Sequence, residues 1–67
     1  MAWTEPPKDS VTSADGKFSV AYRDDEEGGK LHVPTKETEA AARTLARDLF
    51  SQGIVAHVYS PAGSKIG

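Results

Sequence analysis

Cysteine is absent from this 67-residue chain, so neither a disulfide framework nor a thiolate zinc site can staple it. Long apolar runs are also missing. No stretch approaches the roughly 18 residues that a membrane span requires, which argues against a membrane partner. The opening "MAWTEPPKDS" lacks the basic start and apolar core of a signal peptide, and the expectation is a soluble, cytoplasmic protein. A basic excess is lacking too. Residues 1–34 hold seven acids and four bases, residues 35–67 three acids and four bases, and the net charge is −2. Non-specific nucleic-acid binding draws its affinity from phosphate neutralisation, so nucleic acid ranks below protein as the expected partner.

A chain this short forms one domain and buries only about 60% of the surface its unfolded form exposes. Packing must supply stability, or a partner must add core, and a homodimer stays open on that ground. The first 16 residues, with Pro6-Pro7 and many Ser, Thr and Asp, show neither helix nor strand period. They read as a flexible N-terminal arm, 1–16, ending at Asp15-Gly16, with Trp3 as a lone aromatic. The remainder, 17–67, reads as a ββαβ domain.

"KFSVAYR" alternates, with Phe18, Val20 and Tyr22 on one face and Ser19, Ala21 and Arg23 on the other. "KLHV" alternates likewise and is expected to send Leu31 and Val33 inward, Lys30 and His32 outward. The acidic "DDEE" and Gly28-Gly29 between them read as a hairpin tip in which at least one glycine takes a positive φ. Pro34 should stop the second strand. Thr35 is the expected N-cap of a helix whose stripe is Thr38, Ala41, Ala42, Leu45, Ala46 and Leu49, with Phe50 on its rim. Glu39 precedes Arg43 by four residues, the favourable order for an ion pair. Gly53 should end the helix as its C′ residue. "IVAHVYS" follows as a third strand, with Ile54, Ala56 and Val58 toward the helix and Val55, His57 and Tyr59 away from it. The expected fold is therefore α+β: a small two-layer ββαβ sandwich with a three-stranded sheet on one helix, in spatial order 2-1-3 so that the last strand lies antiparallel to the first.

Candidate chemistry is sparse. Asp24, Asp25, Glu26 and Glu27 are adjacent, without the alternate spacing and closing Glu of a calcium loop, so the tip reads as a solvated turn or as a surface that steers a basic partner. His32 and His57 have no third ligand in view, and no metal site is expected. No serine lies in a GxSxG context, no cysteine nucleophile exists, and neither "GG" nor "AGSKIG" has the spacing of a phosphate loop. Neither enzymatic activity nor a cofactor is expected. The sheet face away from the helix gathers Arg23, Lys30, His32, His57 and Tyr59 in this reading. That mixture suits partner contact, unless the chain ends or a second copy cover it.

The segment from Thr35 to Gly67, with Thr38, Glu39, Ala40, Ala42, Arg43, Leu45, Ala46, Arg47, Gly63 and Ile66, resembles an uncharacterised family of small bacterial and phage proteins. The resemblance implies a compact α+β domain and brings no activity or catalytic residue. The strand–hairpin–helix stretch from Phe18 to Leu49 is similar to phage integrase arm-binding domains, which implies DNA reading by the sheet. In that family the third strand precedes the helix and the sheet is more basic. The expected function is a non-enzymatic interaction module, of a phage-type accessory kind, that binds a protein partner through its exposed sheet face. The alternative is a small nucleic-acid binder using Arg23, Lys30, Arg43 and Arg47.

Overall fold

The computed structural model describes residues 5–66, so Trp3 lies outside the described residues. The chain is α+β, as expected. Its elements are β1 (Phe18–Asp24), β2 (Lys30–His32), β3 (Thr35–Lys36), α1 (Glu39–Ser51) and β4 (Ala56–Tyr59), with short 3-10 turns at Lys8–Ser10 and Asp25–Glu27. β1 is the central strand. β4 pairs antiparallel along one side of it, Ser19 opposite Tyr59 and Tyr22 opposite Ala56. β2 and β3 pair along the other, so the 2-1-3 order holds, with β4 as the third strand.

The sheet counts four strands where three were expected, and the reason is Pro34. Tyr22 faces His32 and Phe18 faces Lys36 in one unbroken register. β2 and β3 are thus a single return arm interrupted at Val33-Pro34. The Val20 N–H still donates to the Pro34 carbonyl at 2.8 Å, but proline has no N–H to return the bond. The ladder lapses there and resumes at Thr35.

This register corrects one expectation. Arg23 lies opposite Leu31, and Tyr22 opposite His32. Leu31 and Val33 therefore sit on the face away from the helix, packed with Val11, Ala21 and Tyr59, while His32 lies on the Tyr22 face. Five residues separate the paired Asp24 and Lys30. Because side chains alternate with period two, the parity of that loop decides which face receives each residue, and a slip of one position exchanges the two sets.

The helix begins later than expected. Thr38, not Thr35, caps it, its Oγ1 accepting the Ala41 N–H at 3.1 Å, while Thr35 is held in β3 opposite Ser19. At the other end the Gly53 N–H donates to Phe50 O (2.9 Å) and the Ile54 N–H to Leu49 O (2.9 Å). These are the two bonds of a Schellman stop, and the expected Gly53 C′ stands at φ 85°. Ala42, Leu49, Val20 and Val58 form the buried centre of the helix–sheet layer, joined by Phe18, Tyr22, Leu45, Ala46, Ile54, Ala56 and Ile66. Alanines at 42 and 46 let the helix axis approach the sheet closely.

The second face of the sheet is covered as well. The stretch expected as an arm crosses it: Pro6 and Val11 are buried. The buried Ser19 hydroxyl donates to the Val11 carbonyl at 3.2 Å, and the Ser13 N–H donates to the Pro61 carbonyl at 2.9 Å. Small side chains at Ser19 and Ala21 create the depression that Val11 fills. The C-terminal turn is tied in too. The Ser60 N–H donates to Ser64 O, and the Ile66 N–H to Val58 O (both 2.8 Å), which brings Lys65 beside Tyr59 along the outer edge of β4.

Candidate functional site

The nine residues singled out from sequence separate into three places. Asp24, Asp25 and Glu26 stand at the hairpin tip, where local bonds fix the backbone. The Asp24 carboxylate accepts the Glu26 N–H at 2.9 Å, its carbonyl accepts the Gly29 N–H at 2.8 Å, and the Asp25 carbonyl accepts the Gly28 N–H at 3.2 Å. Gly28 and Gly29 carry φ of 72° and 83°, the left-handed conformation that this reversal demands and that side chains resist. The Glu27 side chain lies outside the described set. The tip is thus a shaped turn with exposed carboxylates at Asp25 and Glu26.

Arg23, His57 and Tyr59 share the face away from the helix. Arg23 Nη1 donates to the Gly29 carbonyl at 3.3 Å, so this guanidinium braces the tip from below. Tyr59 is 3% exposed and belongs to the cluster around Val11. The Nε of Arg23, Nε2 of His57 and the Tyr59 hydroxyl all lie out of contact with solvent. The expectation that these side chains present an open recognition face is therefore corrected for Tyr59, a core residue under the N-terminal segment.

His32 and Lys30 occupy the opposite side. The His32 ring stacks on Tyr22 with centroids 5.1 Å apart and planes at 17°, and Lys30 is exposed at the start of β2. His32 and His57 are separated by the sheet itself. Among the described residues no three metal-ligating side chains converge, and no helix is long and apolar enough to cross a membrane.

Of the basic helix residues, Arg43 is engaged: its Nε donates to Glu39 at 3.0 Å, the ion pair expected from the spacing, and its Nη2 to the Ile66 carbonyl at 3.2 Å. Half of its side chain is exposed, so the pair adds little stability and chiefly directs the guanidinium toward the C-terminal turn.

Sequence reasoning missed a different grouping. Phe50 is 70% exposed and Val55 58%, the exposed large hydrophobics of the described chain. β4 starts beside Tyr22, near the tip end of β1, and α1 ends just before β4. The end of the helix, Val55 and the acidic tip therefore occupy one end of the sandwich. Val55 stands one position before the Tyr22–Ala56 pair, at the Arg23 end of β1. The available signal was the helix rim position of Phe50 combined with the strand order, which together place both residues near the tip. No known family model, curated protein or solved structure matches the chain.

Proposed function

We propose that the chain is a non-enzymatic interaction module that binds a protein partner through the end of the sandwich that holds both the hairpin tip and the end of the helix. The observation that carries this reading is the exposure of Phe50 and Val55 at that end, while the other large aliphatic and aromatic side chains described pack into one of two clusters. Apolar anchors flanked by charge suit a protein partner: burial of the anchors supplies affinity, and the carboxylates of Asp25 and Glu26 steer a basic complementary surface.

The test is affinity capture from a host lysate with and without nuclease, comparing wild type with a Phe50→Ser/Val55→Ser protein of unchanged circular dichroism. The reading expects a nuclease-resistant protein band that falls at least tenfold in the double variant. A band unaffected by the two substitutions, or one lost with nuclease, overturns it, and the nuclease-sensitive result supports nucleic acid instead.

A further inference from the structure

The two outer edges of the sheet are treated differently. β4 is partly closed by the C-terminal turn, which places Ile66 N–H on the Val58 carbonyl. Along the β2–β3 arm, no described strand or loop pairs with the outer side. The direction of its backbone groups follows from the Val20–Pro34 bond. In an antiparallel ladder, bonded pairs alternate, so positions 30, 32, 34 and 36 address β1. Positions 31, 33 and 35 address the outside. Leu31, Val33 and Thr35 thus hold three N–H and three C=O groups outward, spaced about 7 Å apart, which is the template for one more strand.

The side chains along this edge select the occupant. Lys30 and Lys36 are exposed, share the helix-side face and bracket the open rungs. On the other face stand half-buried Leu31 and Val33. A second copy paired antiparallel so that all three rungs engage, Val33 against Val33, would set Lys30 directly against Lys36 of the copy at both ends. Like charges directly opposed across a ladder are destabilising, and edge lysines are a recognised guard against such self-pairing. The same two charges favour carboxylates, more at the Lys36 end than at Lys30, which already has Asp24 across the ladder on its own face.

We infer that the β2–β3 edge is a docking site for an extended acidic peptide, added as an outer antiparallel strand. Running antiparallel from Lys36 to Lys30, its seven residues would read acid, any, any, apolar, any, apolar, acid. The acids meet Lys36 and Lys30, and the apolar positions continue the surface of Val33 and Leu31. This inference is independent of the surface formed by Phe50 and Val55.

The test is a titration of 15N-labelled wild-type protein with a synthetic peptide of that pattern, and with a second in which lysines replace the two acids. Amide hydrogen exchange is read at Leu31, Val33 and Thr35. In the free protein these amides should exchange quickly. The acidic peptide should slow them by at least tenfold, more than it slows the inward amides of His32 and Lys36, and bind at least tenfold more tightly than its lysine counterpart. No slowing at millimolar acidic peptide overturns the inference, as does slowing confined to amides around Phe50 and Val55. Concentration-dependent protection of the same three amides without peptide overturns it in favour of a second copy.

Discussion

Val11 decides whether the N-terminal segment is part of the folded domain. It is 1% exposed, packed with Ala21 and Tyr59 and bonded through its carbonyl to the Ser19 hydroxyl. Val11→Ala removes two methyl-sized groups from this site. The transfer term is about 0.8 kcal/mol for each, and the space left behind raises the loss to about 2–3 kcal/mol if the segment cannot collapse into it. Domains of this size have a total stability of roughly 3–10 kcal/mol at 0.05–0.15 kcal/mol per residue, so the loss is a large share. Each kcal/mol corresponds to about 4–8 °C in Tm for 60–100 residues, and the melting temperature should fall by about 10–20 °C. Urea unfolding followed by circular dichroism is the assay, with the midpoint expected to drop and the slope to hold. A residue in an undocked tail would cost less than about 0.5 kcal/mol. A loss that small would refute the docking of residues 6–13 and reopen the sheet face as a recognition surface.

Two further substitutions test the packing around the same frame. Gly63→Ala sets a methyl group 2.6 Å from Thr12 Oγ1 and 3.0 Å from Lys8 Cγ at φ 87°, so it should cost about 1–2 kcal/mol in urea unfolding and speed amide exchange at Ser13, whose N–H bonds Pro61. Thr38→Ala removes the side-chain acceptor for Ala41 N–H and should cost about 1 kcal/mol, with Thr38→Ser recovering most of it; an unchanged midpoint in Thr38→Ala would refute a stabilising cap at Thr38.

The strongest signals in the sequence were those carried by a single local mechanism. Gly53 after the apolar stripe yields the Schellman stop, and Glu39 with Arg43 yields the ion pair, because both depend on spacing within one helix. Strand order was legible because a crossover helix and a small sheet leave few arrangements. The side-chain faces of β2 were not legible. Leu31 and Val33 look inward on hydrophobicity alone, yet their face depends on the number of loop residues between Asp24 and Lys30, a property of turn geometry. The Thr35 cap failed for a tertiary reason: β1 extends far enough to claim Thr35 and Lys36 as strand partners, and Thr38 inherits the cap. Val11 was hidden because one β-branched residue among polar neighbours has no period. Ser19 and Ala21, whose small size makes room for it, read equally well as an open face.

That second cover has a consequence for where recognition can reside. β1 is paired on both edges and packed on both faces: Val20 lies against the helix layer and Ala21 against the N-terminal segment, each 0% exposed. A small domain gains from this arrangement, since one strand serves two apolar layers and the buried fraction rises without lengthening the chain. It also uses up the middle of both sheet faces for stability, Tyr59 included. The periphery remains: the acidic tip with Phe50 and Val55 at one end, and the outward backbone of Leu31, Val33 and Thr35 along one edge. Pro34 lies at the centre of that edge, and its missing N–H removes a bond from the inner ladder rather than from the outer one. The arm is thereby held to β1 less firmly at its midpoint while its outward donors at Val33 and Thr35 stay intact, an arrangement in which an added strand would stabilise the arm it joins.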